Sequence, residues 1–477
     1  MPSSMPSMPV SSPEPANALG FAHIPYLGDT IPLLTNTLVY IEQRRRAYGD
    51  IWRTEFMGQR AAVAIGAEAQ RQVLDDNHKF PAAPGYQFVK PVLGHSLFDM
   101  DGDEHETQRG FLTPAFSPRR YTRFVERIDR ALQHVFDAWG DAGERVFYRD
   151  ALSALFAVSC AVTLGLDRGP AYDHLVTRWQ TMQHGLLNPI RIRIWGTPWH
   201  ATLAARDYII QTFLRDLIEQ RHRAPVEDEA QGDMLDLLLL AQRTHPQALS
   251  DKQIIEHLML MLFAGYDTTA GAISWIVLEL LRHPEARARV LAEVHADAGE
   301  PNDAPIQLSD IRATPYFDAF IKETLRLHPA QHLSIRGVTS PWEYAGHTVP
   351  AAWSVLIAPI YTHRMPDYFA DPLQFDPDRF LEPRSEDRTH PRALIEFGGG
   401  AHACLGSGVA KLYIKAIVTK LFRRFSLELL PQQDVREVFI PAGRPRGGVR
   451  IRYRRLAPVA PAAVVSAPAS SESAATS

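Results

Sequence analysis

The chain has 477 residues, 45% of them hydrophobic and 22% charged, with a formal net charge of -4. That balance supports a large globular core, and the charge implies no general attraction to nucleic acid. Two cysteines cannot build a disulfide framework and suit a reducing compartment.

In chain order, residues 1–19 are Pro/Ser-rich and lack the basic start and apolar block of a signal peptide; nothing there is apolar enough to span a bilayer. Two short strand-like stretches follow, DIWRTEF and AAVAIG. Helical patterns then dominate from about Glu104 to Leu327. Cys160 lies in LSALFAVSCAV, apolar all round, and reads as inert packing. His222 to Asp233 and Ala296 to Gln307 read as polar surface loops.

Between those loops, Ser250 to Pro284 predicts one long buried helix. Ser250 and Gln253 form a capping box and Pro284 ends the run. A membrane span is disfavoured, because Gly265, Asp267, Thr268 and Thr269 occupy its middle. Thr268 is placed to bond back to the carbonyl of Ala264 and bend the helix. Gly265 leaves room for something flat against the backbone. A locally satisfied polar kink and a functional proton relay at Asp267 fit these residues equally.

Further on come KETLRLHP, the strand-like WEYAGHTV and WSVLIAPI, then FDPDRF, and then FGGGAHACLG, Phe397 to Gly406. Glu323 and Arg326, three apart on a helix, read by themselves as a surface ion pair. Inert packing suits Cys404 poorly, since glycines surround it and a helix begins just beyond. Such a loop turns amides and the positive helix end toward the sulfur and favours a thiolate. Zinc would need further ligands at a spacing that is absent. A nucleophile would take His402 as its base. A single thiolate on heme iron would leave the opposite face free for oxygen. The strand VRIRYRR follows, and residues 457–477 read as a disordered Ala/Pro/Ser tail. The fold class is mainly α with small β-sheets, one domain over residues 20–456.

The glycine loop fills every position of F-x-x-G-x-R/H-x-C-x-G with Phe397, Gly400, His402, Cys404 and Gly406, and thereby resembles the cytochrome P-450 family of heme-thiolate monooxygenases. The helix motif A/G-G-x-D/E-T-T/S matches Ala264, Gly265, Asp267, Thr268 and Thr269; E-x-x-R matches Glu323 and Arg326; FDPDRF supplies Arg379. The resemblance implies heme b between the central helix and the Cys404 loop. It implies Cys404 as iron ligand, with Phe397 beside it and Gly406 hydrogen-bonding the sulfur. Ala264 and Gly265 would border the heme, and His105, Arg109, Arg336 and His402 would meet its propionates. It implies Thr268 positioning dioxygen, Asp267 delivering protons, and a buried triad of Glu323, Arg326 and Arg379.

The same resemblance implies insertion of one atom of O2 into a lipophilic small molecule such as a terpenoid, retinoid, fatty acid or polyketide. Electrons would come from a separate ferredoxin or flavodoxin with its NAD(P)H reductase, docking on Arg119, Arg120, Arg123, Lys411 and Lys415. The access lid would be HGLLNPIRIRIWGTPWH, touching a membrane surface or packing its tryptophans inward. Gln331, His332 and Ser334 would face the pocket. A cytoplasmic bacterial-type member without a transmembrane anchor is expected. A peroxide-driven peroxygenase and a heme-binding sensor or carrier are the alternatives.

Overall fold

The computed structural model describes residues 28–186, 191–226, 232–295 and 303–456. The terminal segments 1–19 and 457–477 lie outside them, as do parts of the lid and of both polar loops. Helices form the bulk. Helix Asp267–Arg282 packs against Phe147–Thr163, Pro284–His295, Pro315–Leu327 and Ser407–Arg424, and so runs through the core.

The long central helix is present but broken. It runs over Asp251–Ala264 and Asp267–Arg282. The predicted capping box starts it, with Ser250 N donating to Gln253 Oε1 at 2.9 Å and Gln253 N to Ser250 Oγ at 3.4 Å. At the break Gly265 N reaches Met261 O only at 3.5 Å. Thr268 Oγ1 donates to Ala264 O at 2.6 Å, the back-bond that bends the ladder. Together the two halves are long and apolar enough to cross a membrane, but two-thirds of the stretch (67%) is buried inside the protein, as a core helix requires.

The principal sheet has four strands in the order Ile51–Phe56, Gln59–Ala64, Ser354–Ile357, Ser334–Gly337. The first two are an antiparallel hairpin. Met57 and Gly58 both have positive φ at its two-residue turn, the twist a tight hairpin needs. Gln59–Ala64 runs parallel to Ser354–Ile357, with Ala61 opposite Ser354. A second sheet orders Ala142–Val146, Arg450–Arg455 and Phe425–Leu429. The strands at 142–146 and 334–337 have no clear alternation of their own and are set by their partners, whereas Phe425–Leu429 alternates buried and exposed residues. Asp233, expected in a surface loop, is instead the buried N-cap of Met234–Thr244, where Arg221 pairs with it at 2.9 Å.

Candidate functional site

The loop before Ser407–Arg424 is closed by Cys404 N donating to Phe397 O at 2.9 Å and Ala403 N to Gly400 O at 3.1 Å. Gly400 has φ +67°, and a Cβ there would fall 1.7 Å from the Leu74 carbonyl oxygen. Only glycine lets this loop lie against helix Ala67–Asp75. A Cβ on Gly406 would sit 4.0 Å from Cys404 Sγ, so that backbone passes directly beside the sulfur.

Cys404 has accessible surface, yet its surroundings are interior enough to raise its pKa; the sulfur faces a recess. Burial is the largest influence, and the Gly406 amide and Arg109 oppose it without prevailing. Desolvation disfavours the thiolate, the Gly406 amide and the Arg109 guanidinium favour it, and a bound metal ion would stabilise it further.

Helix Gly102–Leu112 brings two residues to this loop. The His105 ring lies 4.0 Å from that of His402. Burial, then the neighbouring His402 and Arg109, push His105 down to about 4. Arg109 Nη2 donates to Ala403 O at 2.8 Å. His402 Nε2 meets Asp101 Oδ1 at 3.0 Å, and the same carboxylate accepts from Ala82 N and Ala83 N. Asp101 was not foreseen; its signal was its place just ahead of the His105 helix.

Arg336, on strand Ser334–Gly337, is buried; its Nη1 donates to Ser334 Oγ at 3.1 Å and Ile335 O at 2.9 Å, and its Nε has no acceptor. Among the described residues neither Arg109 nor Arg336 has a carboxylate within ion-pair distance. Burying a cation without a counter-charge is costly. Arg109, half-buried beside the Cys404 thiol, and Arg336, buried on its strand, suit a group with two acid arms and a thiolate-binding metal, as heme has.

The middle of the central helix is more open than the turns that flank it. Met261, Phe263, Ala264, Gly265, Asp267 and Thr268 are half-exposed, while the turns on either side are buried. Interior space therefore adjoins the kink. Asp267 Oδ1 accepts from Tyr148 Oη at 2.9 Å. Burial raises the Asp267 pKa, against the Tyr148 hydrogen bond and the charge of Arg444. Neither partner was read from the sequence, because they lie far away along the chain.

Glu323, Arg326 and Arg379 come together as a fully buried cluster, so the surface-pair reading fails. Arg326 Nε donates to Glu323 Oε2 at 2.7 Å and Arg379 Nε to Glu323 Oε1 at 3.1 Å. His363, also missed, extends it. Arg326 Nη1 donates to His363 O at 2.7 Å, His363 Nδ1 lies 3.2 Å from Arg326 O, and Ile395 N donates to His363 Nε2 at 3.1 Å. Burial, then Arg326, holds His363 down at about 3, so the ring is neutral. The triad is thus tied to the chain entering the Cys404 loop.

In the lid, Trp199 is buried beneath Arg191, packed inward, whereas Trp195 is 88% exposed. Arg191 Nη1 donates to Phe88 O at 2.6 Å. His332 is buried against Phe439, Ser334 accepts from Arg336, and Gln331 donates to Tyr86 Oη at 3.2 Å. The basic patch loses Lys415, which is buried against the Ile311 carbonyl and pairs with the half-exposed Asp318 at 2.8 Å. Arg123 pairs with Glu126 at 2.8 Å.

A family model described as Cytochrome P-450 matches residues 20–451. A putative cytochrome P-450 120 from Synechocystis sp. is 29% identical over 458 residues, 94% of this chain and 100% of that protein. Human cytochrome P-450 26B1 is 27% identical, covering 92% of this chain and 86% of that one. A solved structure titled "Retinoic acid bound cyanobacterial CYP120A1" superposes with a TM-score of 0.81 at 28% identity, over 91% of this chain and 98% of that chain.

Proposed function

The chain belongs to the cytochrome P-450 family and is a heme b monooxygenase; on that premise we propose that Cys404 is its iron ligand, Thr268 and Asp267 its oxygen-side residues, and a retinoid-sized lipophilic acid its substrate. The observation that carries the assignment is the recessed Cys404 sulfur beside Gly406, with Arg109 bonded to the neighbouring Ala403 carbonyl. The catalytic domain is taken as residues 20–456, which the family match over 20–451 supports.

Heme b, when bound, activates O2 so that one oxygen atom enters the substrate and the other leaves as water, with two electrons supplied by a redox partner. Cys404 Sγ would hold the iron. The Gly406 N–H, hydrogen-bonded to that sulfur, would spread its charge and tune the metal. Phe397 borders the same loop. Arg109 and Arg336 supply the buried cations for the two propionates, and His105 with His402 forms an imidazole edge beside them. Asp101 holds His402 in place. Across the recess, Ala264 and Gly265 form the flat floor of the kink. Thr268 gives its own proton to Ala264 O, so its oxygen is left to accept and orient a hydrogen bond from water. Asp267 takes protons from outside and passes them toward Thr268.

The substrate proposal draws on the retinoic-acid title of the solved relative. Tyr86, Phe88 and Phe98 offer an apolar wall, with Tyr86 and Phe98 stacked at 4.6 Å. Arg119 and Arg120 favour an acidic ferredoxin or flavodoxin as electron donor. A cytoplasmic setting suits the two free cysteines.

The test is the spectrum of the dithionite-reduced protein with carbon monoxide, beside Cys404→Ser. A strongly red-shifted Soret band, lost in the variant, is expected. A band of the histidine-ligated kind in folded wild type would refute the ligand. Titration with retinoic acid then reads the substrate class through the heme spin state, and the absence of any spectral shift would remove the retinoid.

A further inference from the structure

Adjacent residues on a helix leave it about 100° apart. Thr268 points back to Ala264, while Asp267 is carried around the helix to a separate cluster. Its first member is Tyr148, near the start of helix Phe147–Thr163, whose hydroxyl donates to Asp267 Oδ1 at 2.9 Å. Its second is Arg444, on the short strand Arg444–Pro445. That strand is brought in by two glycines. A Cβ on Gly271, one turn beyond Asp267 on the same face, would fall 2.2 Å from the Gly443 carbonyl oxygen. Arg444 lies over the Tyr148 ring at 5.1 Å, has a buried Nε without an acceptor, and has no carboxylate within ion-pair distance among the described residues.

We propose that Tyr148 is a positioning residue for proton delivery, its phenol anchoring the Asp267 carboxylate, with the Arg444 guanidinium behind it, in the pose from which Asp267 accepts protons on their way to Thr268. The inference rests on the role assigned to Asp267 above. Burial raises the Asp267 pKa, and the Tyr148 hydrogen bond works against that shift, favouring the carboxylate form that can take up a proton. The titratable and charged groups facing Asp267 are Tyr148 and Arg444 from the packed elements and Tyr266 from its own. Burial and the Asp267 charge push Tyr148 well above its usual range, so its hydroxyl stays protonated and remains a donor. The anchor thus keeps Asp267 available in both forms. It takes a proton from water at one oxygen, releases it toward Thr268, and returns to the Tyr148 hydrogen bond as carboxylate.

The experiment compares Tyr148→Phe, Asp267→Asn and the double variant in the heme-loaded protein. Infrared difference spectra during pH titration identify the Asp267 carboxyl band as the one lost in Asp267→Asn. In Tyr148→Phe its midpoint is expected to rise by about one pH unit, since a donor to the charged form is gone. Product formation should fall roughly three- to ten-fold, a part of what a positioned proton donor contributes. Its solvent deuterium isotope effect should grow, with the substrate-binding midpoint unchanged. The double variant should match Asp267→Asn. A normal carboxyl titration, pH profile and isotope effect in Tyr148→Phe, alongside an impaired Asp267→Asn, would overturn the role of Tyr148. An unimpaired Asp267→Asn would instead overturn the Asp267 assignment and this inference with it.

Discussion

Thr268 shows how a single hydroxyl serves helix and chemistry together. Its bond to Ala264 O bends the backbone and leaves the oxygen as an acceptor toward the recess. Thr268→Ala should therefore take up heme and substrate normally but lose product per electron roughly ten-fold or more, the balance appearing as hydrogen peroxide. Peroxide measured against NAD(P)H consumed decides it, and tight coupling in the variant would contradict the role. Thr268 was legible because its partner lies four residues away, and Cys404 because its glycines are contiguous. Tyr148 was not, since no local pattern connects it with Asp267. Lys415 misled for the same reason: a lysine's own neighbours in sequence do not reveal that the Ile311 carbonyl and the half-exposed Asp318 wait for it.

At the scale of elements, helix Pro315–Leu327 is the anchor for the Cys404 loop. Glu323 holds Arg326 and Arg379 together, and His363 passes the constraint to Ile395. Glu323→Ala would leave the buried Arg326 without its counter-charge, while Arg379 keeps Glu386 at 2.7 Å, at a cost of about 3–5 kcal/mol. Denaturant unfolding should show that loss, with Glu323→Gln less affected because the amide oxygen still accepts. An unfolding midpoint unchanged in Glu323→Ala would show the cluster is not the anchor. The helix pattern around Glu323 and Arg326 was plain in the sequence, but its burial was not. An i, i+3 pair looks the same on a surface as in a core, and only the segments at 363–379 close over it. Among the short strands, those at 342–349 and 354–357 were legible from their apolar and aromatic residues, but those at 142–146 and 334–337 were not, because they carry too little alternation to announce a partner.

For the whole molecule, the buried histidines set the acid limit. His257 and His332 are pushed down to about 4 and His363 to about 3, chiefly by burial. Their folded pKa values lie below the unfolded one, so their neutral forms cost nothing above about pH 6.5. As pH falls below that, the unfolded chain takes up protons the folded one refuses. Stability should drop by about 1.4 kcal/mol per pH unit for each histidine between pH 6.5 and 4. Thermal unfolding across that range measures it, and His363→Phe should flatten the slope. A flat profile in wild type would mean these rings are protonated in the fold.

The pairing of Ala61 with Ser354, and of Arg145 with Ile451, has a consequence for biosynthesis. The first hairpin leaves the ribosome long before the strand that completes its sheet. At ordinary synthesis rates that interval is on the order of tens of seconds. Until then Ala62 and Val63, which end up buried, sit on an unpaired strand edge. The nascent protein must be kept from aggregating through that wait, and it can close around its heme only when nearly the whole chain has emerged.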